Sequence, residues 1–331
     1  MDKLFRILSI DGGGIRGIIP GQVITVLEKK IQDKIENENA KIADYFDMIA
    51  GTSTGGILTC LYLVPGVDNR PKYSAKDAVE LYLNRGHDIF DITFWQKMKS
   101  GGGLTDEKYD AAELEESLKD YLGDLKLSQL LKPCLITSYD VFNRKAMFFN
   151  KFDAESHEKD NFFVKDIARA TSAAPTFFEC ARIKSMTDIQ YALVDGGVFA
   201  NNPTMCAYAE ARNKFTFKAS NMAILSLGTG FVKTPYYYKE VKNWGLIEWV
   251  KPLLDIMMSG VSETVDYQLK QIFDAVDKPN QYLRINTPLK LSSSEMDNVT
   301  KENLSALKEE GEMLAESFDK QLDDFVDLLI Q

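Results

Sequence analysis

The sequence predicts a protein of the α/β class. Short apolar runs typical of buried strands alternate with longer segments whose apolar residues recur at helical spacing. The chain has 331 residues, 45% of them hydrophobic, so it can bury a large core. It contains no internal repeat, low-complexity tract or linker, and we therefore expect one domain over residues 1–331.

The elements follow one another in the order strand, helix, strand, helix. A first strand is predicted at Leu4–Ile10, a helix at Gly17–Ile35, a second strand at Tyr45–Ala50 and an apolar helix at Gly55–Val64. Later strands are predicted at Pro133–Tyr139, Ala146–Asn150, Tyr191–Val194, Met222–Leu227 and Tyr282–Ile285. From Lys301 on, leucines and phenylalanines at spacings of three, four or seven predict one amphipathic closing helix.

Charge and cysteine usage exclude several classes of protein. The chain has 39 Lys and Arg against 49 Asp and Glu, a net charge of -10, which argues against a nucleic-acid partner. The four cysteines lack C-x-x-C spacing, so neither a zinc site nor a disulfide scaffold is expected. No signal peptide and no run of 18 apolar residues is found. We expect a cytoplasmic location with peripheral membrane contact, or a secreted or vacuolar one if a signal peptide has been removed.

The stretch SIDGGGIRG, residues 9–17, has two interpretations. Gly12, Gly14 and Gly17 match the G-x-G-x-x-G pattern of dinucleotide-binding turns. That site needs an acidic residue at the end of the second strand, whereas Asp33 lies within the predicted first helix. No Gly-Lys-Ser/Thr follows the glycines either, so we expect no nucleotide cofactor. The glycines can instead offer backbone N–H groups to an anion that forms during a reaction.

A G-x-S-x-G pentapeptide, residues 51–55, stands between the second predicted strand and the next helix. In this order the serine occupies a sharp turn that exposes its hydroxyl, and the flanking glycines avoid backbone collisions. The following helix adds a favourable dipole near developing negative charge. We predict that Ser53 is a nucleophile. The other interpretation is a small-residue turn that only packs the helix on the strand.

Asp195 is the candidate base for Ser53. The chain has two histidines, His87 and His157, and neither follows a late acidic residue as the order Ser, Asp, His of α/β-hydrolases requires. Asp195 ends a predicted strand and precedes two glycines. A positioned carboxylate can activate a serine, and partial burial raises its pKa. Alternatively, Asp195 only caps an Asx-type turn.

If Ser53 and Asp195 carry out acyl transfer, the three glycines at residues 12–14 can form the oxyanion hole. Backbone N–H groups of Gly12, Gly13 and Gly14 can form a donor nest for the oxyanion of acyl transfer. Arg16 adds positive charge or locks the loop by pairing, or it is a surface residue at the start of a helix. This chemistry needs no metal, and no calcium-loop motif is present, so we expect a calcium-independent enzyme.

Together these motifs resemble the patatin-like phospholipase family. The family pattern D-G-G-G-x-R/K-G is present at Asp11–Gly17, G-x-S-x-G at Gly51–Gly55, and D-G-G/A at Asp195–Gly197. Further stretches similar to patatins are Thr171–Phe178, Asp195–Pro203, Leu225–Gly230 and the late NLSALKEEGEMLAES. The similarity therefore runs through most of the chain.

The resemblance implies a three-layer α/β/α fold with a central, mostly parallel sheet. It implies a Ser53–Asp195 dyad, an oxyanion hole from Gly12, Gly13 and Gly14, and no cofactor. The activity implied is release of fatty acids from phospholipids, lysophospholipids or galactolipids. Plant patatins have a signal peptide, and this sequence departs from them in showing none.

Lipid contact is expected at Asn243–Val261, which is rich in Trp, Leu, Ile and Met. With Trp244, Trp249 and the nearby Tyr236–Tyr238, it suits an acyl channel or a bilayer surface. The alternative is an ordinary buried helix broken near Pro252. The glycines at 101–103 predict a mobile loop, either a lid or a surface connection.

Other functions stay compatible with these residues. An acyltransferase or thioesterase would share the acyl-enzyme and differ in acceptor or substrate. A storage or lipid-binding protein would carry the same residues as a vestigial site. A triggered effector would attack the membranes of its own host. Nothing in the sequence indicates an oligomeric state.

Overall fold

Eight strands in the described part of the chain form one sheet. The computed structural model describes residues 4–89 and 111–331. The strands are β1 (Phe5–Ile10), β2 (Met48–Thr52), β3 (Cys134–Asp140), β4 (Lys145–Asn150), β5 (Ala181–Lys184), β6 (Gln190–Asp195), β7 (Met222–Leu227) and β8 (Tyr282–Ile285). The helices of the first half are α1 (Ile18–Lys34), α2 (Ile42–Tyr45), α3 (Thr54–Leu63), α4 (Ala75–Ile89), α5 (Ala111–Leu122), α6 (Lys151–Ser156) and α7 (Val164–Thr171). Those of the second half are α8 (Gly197–Ala200), α9 (Thr204–Lys214), α10 (Tyr238–Val241), α11 (Leu246–Ala275), α12 (Lys301–Ser317) and α13 (Asp319–Ile330).

The sheet lies between two layers of helices. Five strands run parallel in the order β3-β2-β1-β7-β8. Beyond β3, β6 pairs antiparallel with β3, and β5 pairs antiparallel with β6. Alternate residues of β1 enter two separate cores, Leu8 and Ile10 with α1 and α3, and Phe5 and Ile7 with α9 and α11. Both faces of a parallel sheet are covered in this way. The predicted three-layer fold with a mostly parallel sheet is confirmed.

β3 accepts two strands along the same edge. β2 pairs with the first part of β3 and ends where Thr52 lies opposite Thr137. β6 pairs with the last part, where Asp195 lies opposite Ser138. β4 pairs with both parts of β3 and therefore lies on the side of β3 opposite to β2 and β6. Because β6 runs antiparallel to β2, the carboxyl-terminal ends of these two strands meet at the middle of β3.

The observed structure differs from the predicted one in its closing segment and in an additional strand. The closing segment forms two helices rather than one, because Phe318 leaves the helical conformation at φ -110° and ψ 17°. The break lets α13 pack on α1. β5 was not predicted, since its four residues alternate between buried and exposed over too short a run to indicate a strand.

The long helix α11 also corrects an expectation. It continues through Pro252 for 30 residues, so the interpretation of a helix broken near that proline is wrong. Pro252 stands in the second turn, where it removes one backbone hydrogen bond and leaves the rest of the helix intact. The glycine segment at residues 97–106 lies outside the described residues.

Candidate active site

Ser53 occupies the turn between β2 and α3, in the predicted strand–turn–helix order. Its backbone has φ 55° and ψ -123°, a conformation that costs a non-glycine residue strain energy. A Cβ on Gly51 would lie 2.1 Å from the carbonyl oxygen of Gly55, so the turn requires glycine there. The Ser53 N–H donates to Thr171 Oγ1 at 2.9 Å, which holds the turn against α7.

Asp195 lies beside this turn at the end of β6. Its Oδ1 accepts a hydrogen bond from the Gly197 N–H at 2.7 Å. Burial raises the pKa of Asp195 to about 7, although hydrogen bonding with the Ser53 side chain and with Gly197 opposes the increase. The turn-capping interpretation and the catalytic one are therefore compatible. A carboxylate with a near-neutral pKa can accept a proton from an adjacent serine.

Gly12 brings the glycine loop into contact with Ser53. A Cβ on Gly12 would lie 3.2 Å from Ser53 Cβ and 2.5 Å from Asn201 Oδ1, so only glycine permits this approach. The Gly12 N–H donates to the backbone oxygen of Asn201 at 3.0 Å. It is therefore not free to bind an oxyanion, which corrects the expectation for this residue. Gly12 contributes by allowing the backbone of the glycine loop to lie close to Ser53 and Asn201.

Gly13 and Gly14 have backbone N–H groups that make no hydrogen bond to any described residue. Gly14 has φ +60°, and a Cβ there would lie 2.2 Å from the carbonyl oxygen of Met296. A Cβ on Gly13 would lie 2.3 Å from Thr229 Oγ1. The loop is thus confined on both sides, and two adjacent donors remain for a negatively charged oxygen.

Arg16 supports this loop from inside the protein. It is 8% exposed, so the interpretation of a surface residue is wrong. Its Nε donates to the carbonyl oxygen of Gly13 at 3.4 Å. Burial lowers the pKa of Arg16 to about 10, and Asp255 on α11 partly offsets this effect. Arg16 therefore keeps its charge at neutral pH and fixes the position of Gly13.

Asp11 has a partner, Arg284, that was not predicted from the sequence. Arg284 on β8 donates two hydrogen bonds to the Asp11 carboxylate and one to Ser226 Oγ at 2.8 Å. Ser262 on α11 adds a hydrogen bond to Asp11 Oδ2 at 3.4 Å. A charged residue inside the short apolar strand YLRI was the available signal. The first residue of the glycine loop is thereby tied to β7, β8 and α11.

Histidine does not take part in the described site. His157 follows α6 at the opposite edge of the sheet, because β4 leads the chain back to the start of β3. Its side chain is 60% exposed and lies 3.8 Å from Asp160. The side chain of His87 is outside the described part of the chain. In the part of the chain that the structure describes, the carboxylate of Asp195 forms a hydrogen bond with the Ser53 side chain.

Comparison with known proteins assigns the family. A sequence model described as patatin-like phospholipase matches residues 8–208. The chain belongs to the patatin-like phospholipase family. Membership supports lipid acyl hydrolase activity in general, and it agrees with the resemblance expressed in the three motifs.

Relatives of this patatin-like chain cover nearly all of it. "Patatin-like protein 2" of Oryza sativa subsp. indica is 35% identical, over 94% of this chain and 84% of its own. "Patatin-like protein 2" of Arabidopsis thaliana is 36% identical, over 94% and 83%. "Probable inactive patatin-3-Kuras 1" of Solanum tuberosum is 34% identical, over 95% and 87%. The crystal structure of VipD from Legionella pneumophila aligns with 97% of this chain and 67% of its own, at 11% identity and a TM-score of 0.46.

Two apolar projections flank the edge of the sheet that carries the patatin-like site. The first is the hairpin tip, residues 141–144, which follows the carboxyl-terminal end of β3 and exposes 84% of Phe142. The second is the helix arm, residues 246–260 of α11, where Leu246 is 90% and Leu253 48% exposed. Ser262 contacts Asp11, which follows the carboxyl-terminal end of β1. From Ser262, α11 leads back along the sheet towards the start of β8. The preceding residues, the helix arm, therefore extend beyond the carboxyl-terminal ends of the parallel strands.

The helix arm begins in an aromatic cluster. Trp244 contacts both Tyr236 and Trp249 edge-to-face, with ring centroids 5.4 Å and 5.1 Å apart. Tyr237 and Tyr238 are exposed beside it. The interpretation of this region as an ordinary buried helix is therefore wrong. Among residues 4–89 and 111–331, no helix is both long and apolar enough to cross a membrane.

Proposed function

We propose that this protein is a calcium-independent serine hydrolase that releases fatty acids from membrane glycerolipids. Ser53 Oγ attacks the ester carbonyl while Asp195 accepts the serine proton. The carbonyl oxygen becomes negative and is stabilised by the N–H groups of Gly13 and Gly14. Collapse of this intermediate breaks the bond to the alcohol, which takes the proton from Asp195 and leaves an acyl-enzyme. Water then hydrolyses the acyl-enzyme, with Asp195 again accepting a proton.

One observation carries this proposal. A strained serine and a buried carboxyl with a pKa of about 7 meet at the point where β2 and β6 end on β3. One relative at 34% identity is named as probably inactive, so overall similarity does not decide whether this chain is catalytic. The proposal therefore rests on the residues of the site and their geometry.

The hairpin tip and the helix arm support contact with a lipid surface. Both project from the edge that carries Ser53, so insertion of Phe142 and Leu253 among lipids would bring the site to the ester bonds. Aromatic rings such as Trp244 suit the boundary between headgroups and acyl chains. The proposed substrates are those implied by the family resemblance: phospholipids, lysophospholipids or galactolipids. The cytoplasmic location stays a prediction.

Labelling with a fluorophosphonate, with fatty-acid release from mixed phospholipids followed in parallel, tests the proposal. We expect wild type to label and to release fatty acid in the presence of EDTA. Ser53→Ala should lose both, and Asp195→Asn should lose release. A wild type that neither labels nor releases fatty acid contradicts the proposal and favours a storage protein or a triggered effector. Transfer to added alcohols, or a preference for thioesters, would identify an acyltransferase or a thioesterase.

A further inference from the structure

Positive charge lies beside the aromatic cluster, in a chain whose net charge is -10. The segment that leads from β7 to the helix arm, residues 232–245, contains three lysines and one acidic residue, and we call it the tyrosine-rich segment. Its lysines, Lys233, Lys239 and Lys242, are exposed. None of the three makes an ion pair with an acidic residue that the structure describes. The segment therefore carries a positive charge that neighbouring side chains do not neutralise.

The acidic residues closest along the chain have other partners. Glu248 caps the start of its own helix, where its Oε2 accepts a backbone N–H at 3.0 Å. Asp255 Oδ2 accepts from the hydroxyl of Tyr236 at 3.0 Å. Within the tyrosine-rich segment itself, Glu240 is the one acidic residue against three lysines. The ammonium groups are consequently available to an anion outside the protein.

The hairpin tip combines cations and aromatic rings in the same way. Arg144 and Lys145 are exposed near Phe142, and no acidic residue occurs at positions 141–145. The carboxylate of Asp140, just before the tip, is buried and accepts from the N–H groups of Phe142 and Asn143 at 3.0 Å. Cations therefore accompany the exposed aromatic rings of both segments.

The negative charge of the protein is concentrated elsewhere. Residues 301–331, which form α12 and α13, contain nine acidic residues and three lysines. Two lysines of α1 pair with three of these acidic residues, which leaves the two helices negative overall. Both helices pack on α1, in the layer that covers one face of the sheet. A negatively charged surface would attract the two positive segments and repel this layer.

A bilayer that contains anionic phospholipids provides partners for both the cations and the rings. Aromatic side chains such as Tyr238 and Trp244 favour the boundary between headgroups and acyl chains. Lysines beside them extend their ammonium groups to the phosphates, and each lysine near an anionic leaflet strengthens binding about fivefold. A soluble anion would neutralise the lysines but would leave Phe142 and Leu246 exposed to water. The combination of the two features therefore favours a lipid surface.

We propose that the tyrosine-rich segment and the hairpin tip, together with Lys145, bind a negatively charged lipid surface and direct the protein to membranes rich in anionic phospholipids. The preference for these substrates rests on the proposed function, whereas the binding itself does not require catalysis. Both segments lie at the edge of the sheet that carries Ser53, since the first follows the carboxyl-terminal end of β7 and the second that of β3. Repulsion of α12 and α13 favours the same orientation.

Co-sedimentation with vesicles tests the binding, and Ser53→Ala is used so that no lipid is hydrolysed. Phosphatidylcholine vesicles are compared with vesicles in which about one-third of the lipid is phosphatidylglycerol. We expect Ser53→Ala to bind the anionic vesicles about 100-fold more tightly. Adding Lys233→Gln, Lys239→Gln and Lys242→Gln together should remove most of this preference. The preference should also decrease as salt is raised, because salt screens exposed charges.

Three other lysines provide the matched control. Lys159, Lys218 and Lys278 are exposed and make no ion pair with a residue in the described ranges. They lie at the opposite edge of the sheet, since Lys218 precedes β7, Lys278 precedes β8 and Lys159 follows α6. Their combined replacement by Gln changes the net charge by the same amount, and we expect the preference for anionic vesicles to remain. Thermal unfolding verifies that both triple variants are folded.

The outcomes separate this inference from the proposed function. Equal binding of Ser53→Ala to the two kinds of vesicle, or equal loss of preference in the two triple variants, overturns the inference and leaves the hydrolase intact. A wild type that binds anionic vesicles but neither labels nor cleaves esters refutes the proposed function instead. If both hold, wild type should hydrolyse the anionic vesicles with a lower KM and a similar kcat.

Discussion

Arg284 donates two parallel hydrogen bonds to Asp11, from Nη1 to Oδ1 at 2.9 Å and from Nη2 to Oδ2 at 2.5 Å. The side chains are 8% and 4% exposed, so the pair is shielded from water and salt. Asp11 is also fixed through its backbone, since its N–H donates to Leu227 O at 2.9 Å. The residue that begins the glycine loop is therefore held by both its main chain and its carboxylate.

Removing the charge of Arg284 should destabilise the protein strongly. Arg284→Met leaves a buried carboxylate without a partner, and we expect a loss of about 3–5 kcal/mol in the free energy of unfolding. Arg284→Lys keeps the charge but not the paired geometry and should lose less. Urea unfolding at neutral pH measures both values. Equal stability of the Met and Lys variants would show that the charge of Arg284 is not what matters.

The backbone strain at Ser53 predicts a gain in stability when activity is removed. Ser53→Gly relieves the positive φ of 55° and should be about 1 kcal/mol more stable than Ser53→Ala, which keeps the strain. Both variants should be inactive, so any difference between them reflects the backbone alone. The comparison uses thermal or urea unfolding of the two variants side by side. If Ser53→Gly is the less stable of the two, the turn is not strained.

The raised pKa of Asp195 predicts the pH dependence of activity. Asp195 accepts protons only when ionised, so hydrolysis of a soluble ester should increase with pH through an apparent pKa of about 7. The rate should fall tenfold for each pH unit below that value. An acid limb centred near pH 4 would mean that the base is a solvated carboxylate and not Asp195.

The same pKa has an opposite effect on stability. The pKa of Asp195 in the folded protein lies above the ordinary value of 3.8, so the folded state binds this proton more tightly than the unfolded state does. The resulting contribution to the free energy of unfolding is complete below about pH 4 and is lost as the pH rises through about 7. Asp195→Asn stays neutral and avoids this loss. We therefore expect it to match wild type near pH 4 and to exceed it by up to about 4 kcal/mol at pH 9. Unfolding curves at the two pH values provide the measurement.

Loss of apolar side chains at the two projections should weaken vesicle binding. Phe142→Ser and Leu253→Ser each remove a side chain expected to enter the lipid, and we expect about a tenfold weaker affinity for phosphatidylcholine vesicles in each case. Hydrolysis of a soluble ester should not change. Val67→Ser is the control, because Val67 is 88% exposed but follows α3 at the opposite edge of the sheet. Equal binding by all three variants contradicts the proposed lipid-contacting surface.

Local sequence signals were sufficient to predict much of the fold and to single out the two residues of the proposed dyad. β1, β2, α3 and β7 were predicted within a few residues, because each is a mostly apolar run with glycine or polar residues close to its ends. Ser53 and Asp195 were predicted as site residues because their motifs are short and specify a turn, and the structure places both side chains together. Whether the two residues meet depended on β6 pairing antiparallel with the end of β3, and no local pattern indicates that pairing.

Contacts between distant segments account for what was missed. The Gly12 N–H is occupied by Asn201 O, 189 residues later in the sequence, so its unavailability could not be predicted from the loop. The Asp11–Arg284 pair spans 273 residues. Arg16 was ambiguous because its charge suggests the surface, whereas its neighbours enclose it. In each case the deciding interaction is tertiary, and the local motif is compatible with more than one partner.

The long separation between the paired residues has a consequence for the order in which the protein is made. A growing chain contains Ser53 early, but the proposed base is added only with residue 195, and the residue that binds the start of the glycine loop only with residue 284. A shorter ribosome-bound intermediate would therefore have the proposed nucleophile without its proposed base. On the proposed function, the cell that synthesises this protein would be exposed to its activity only after residue 284 has been translated.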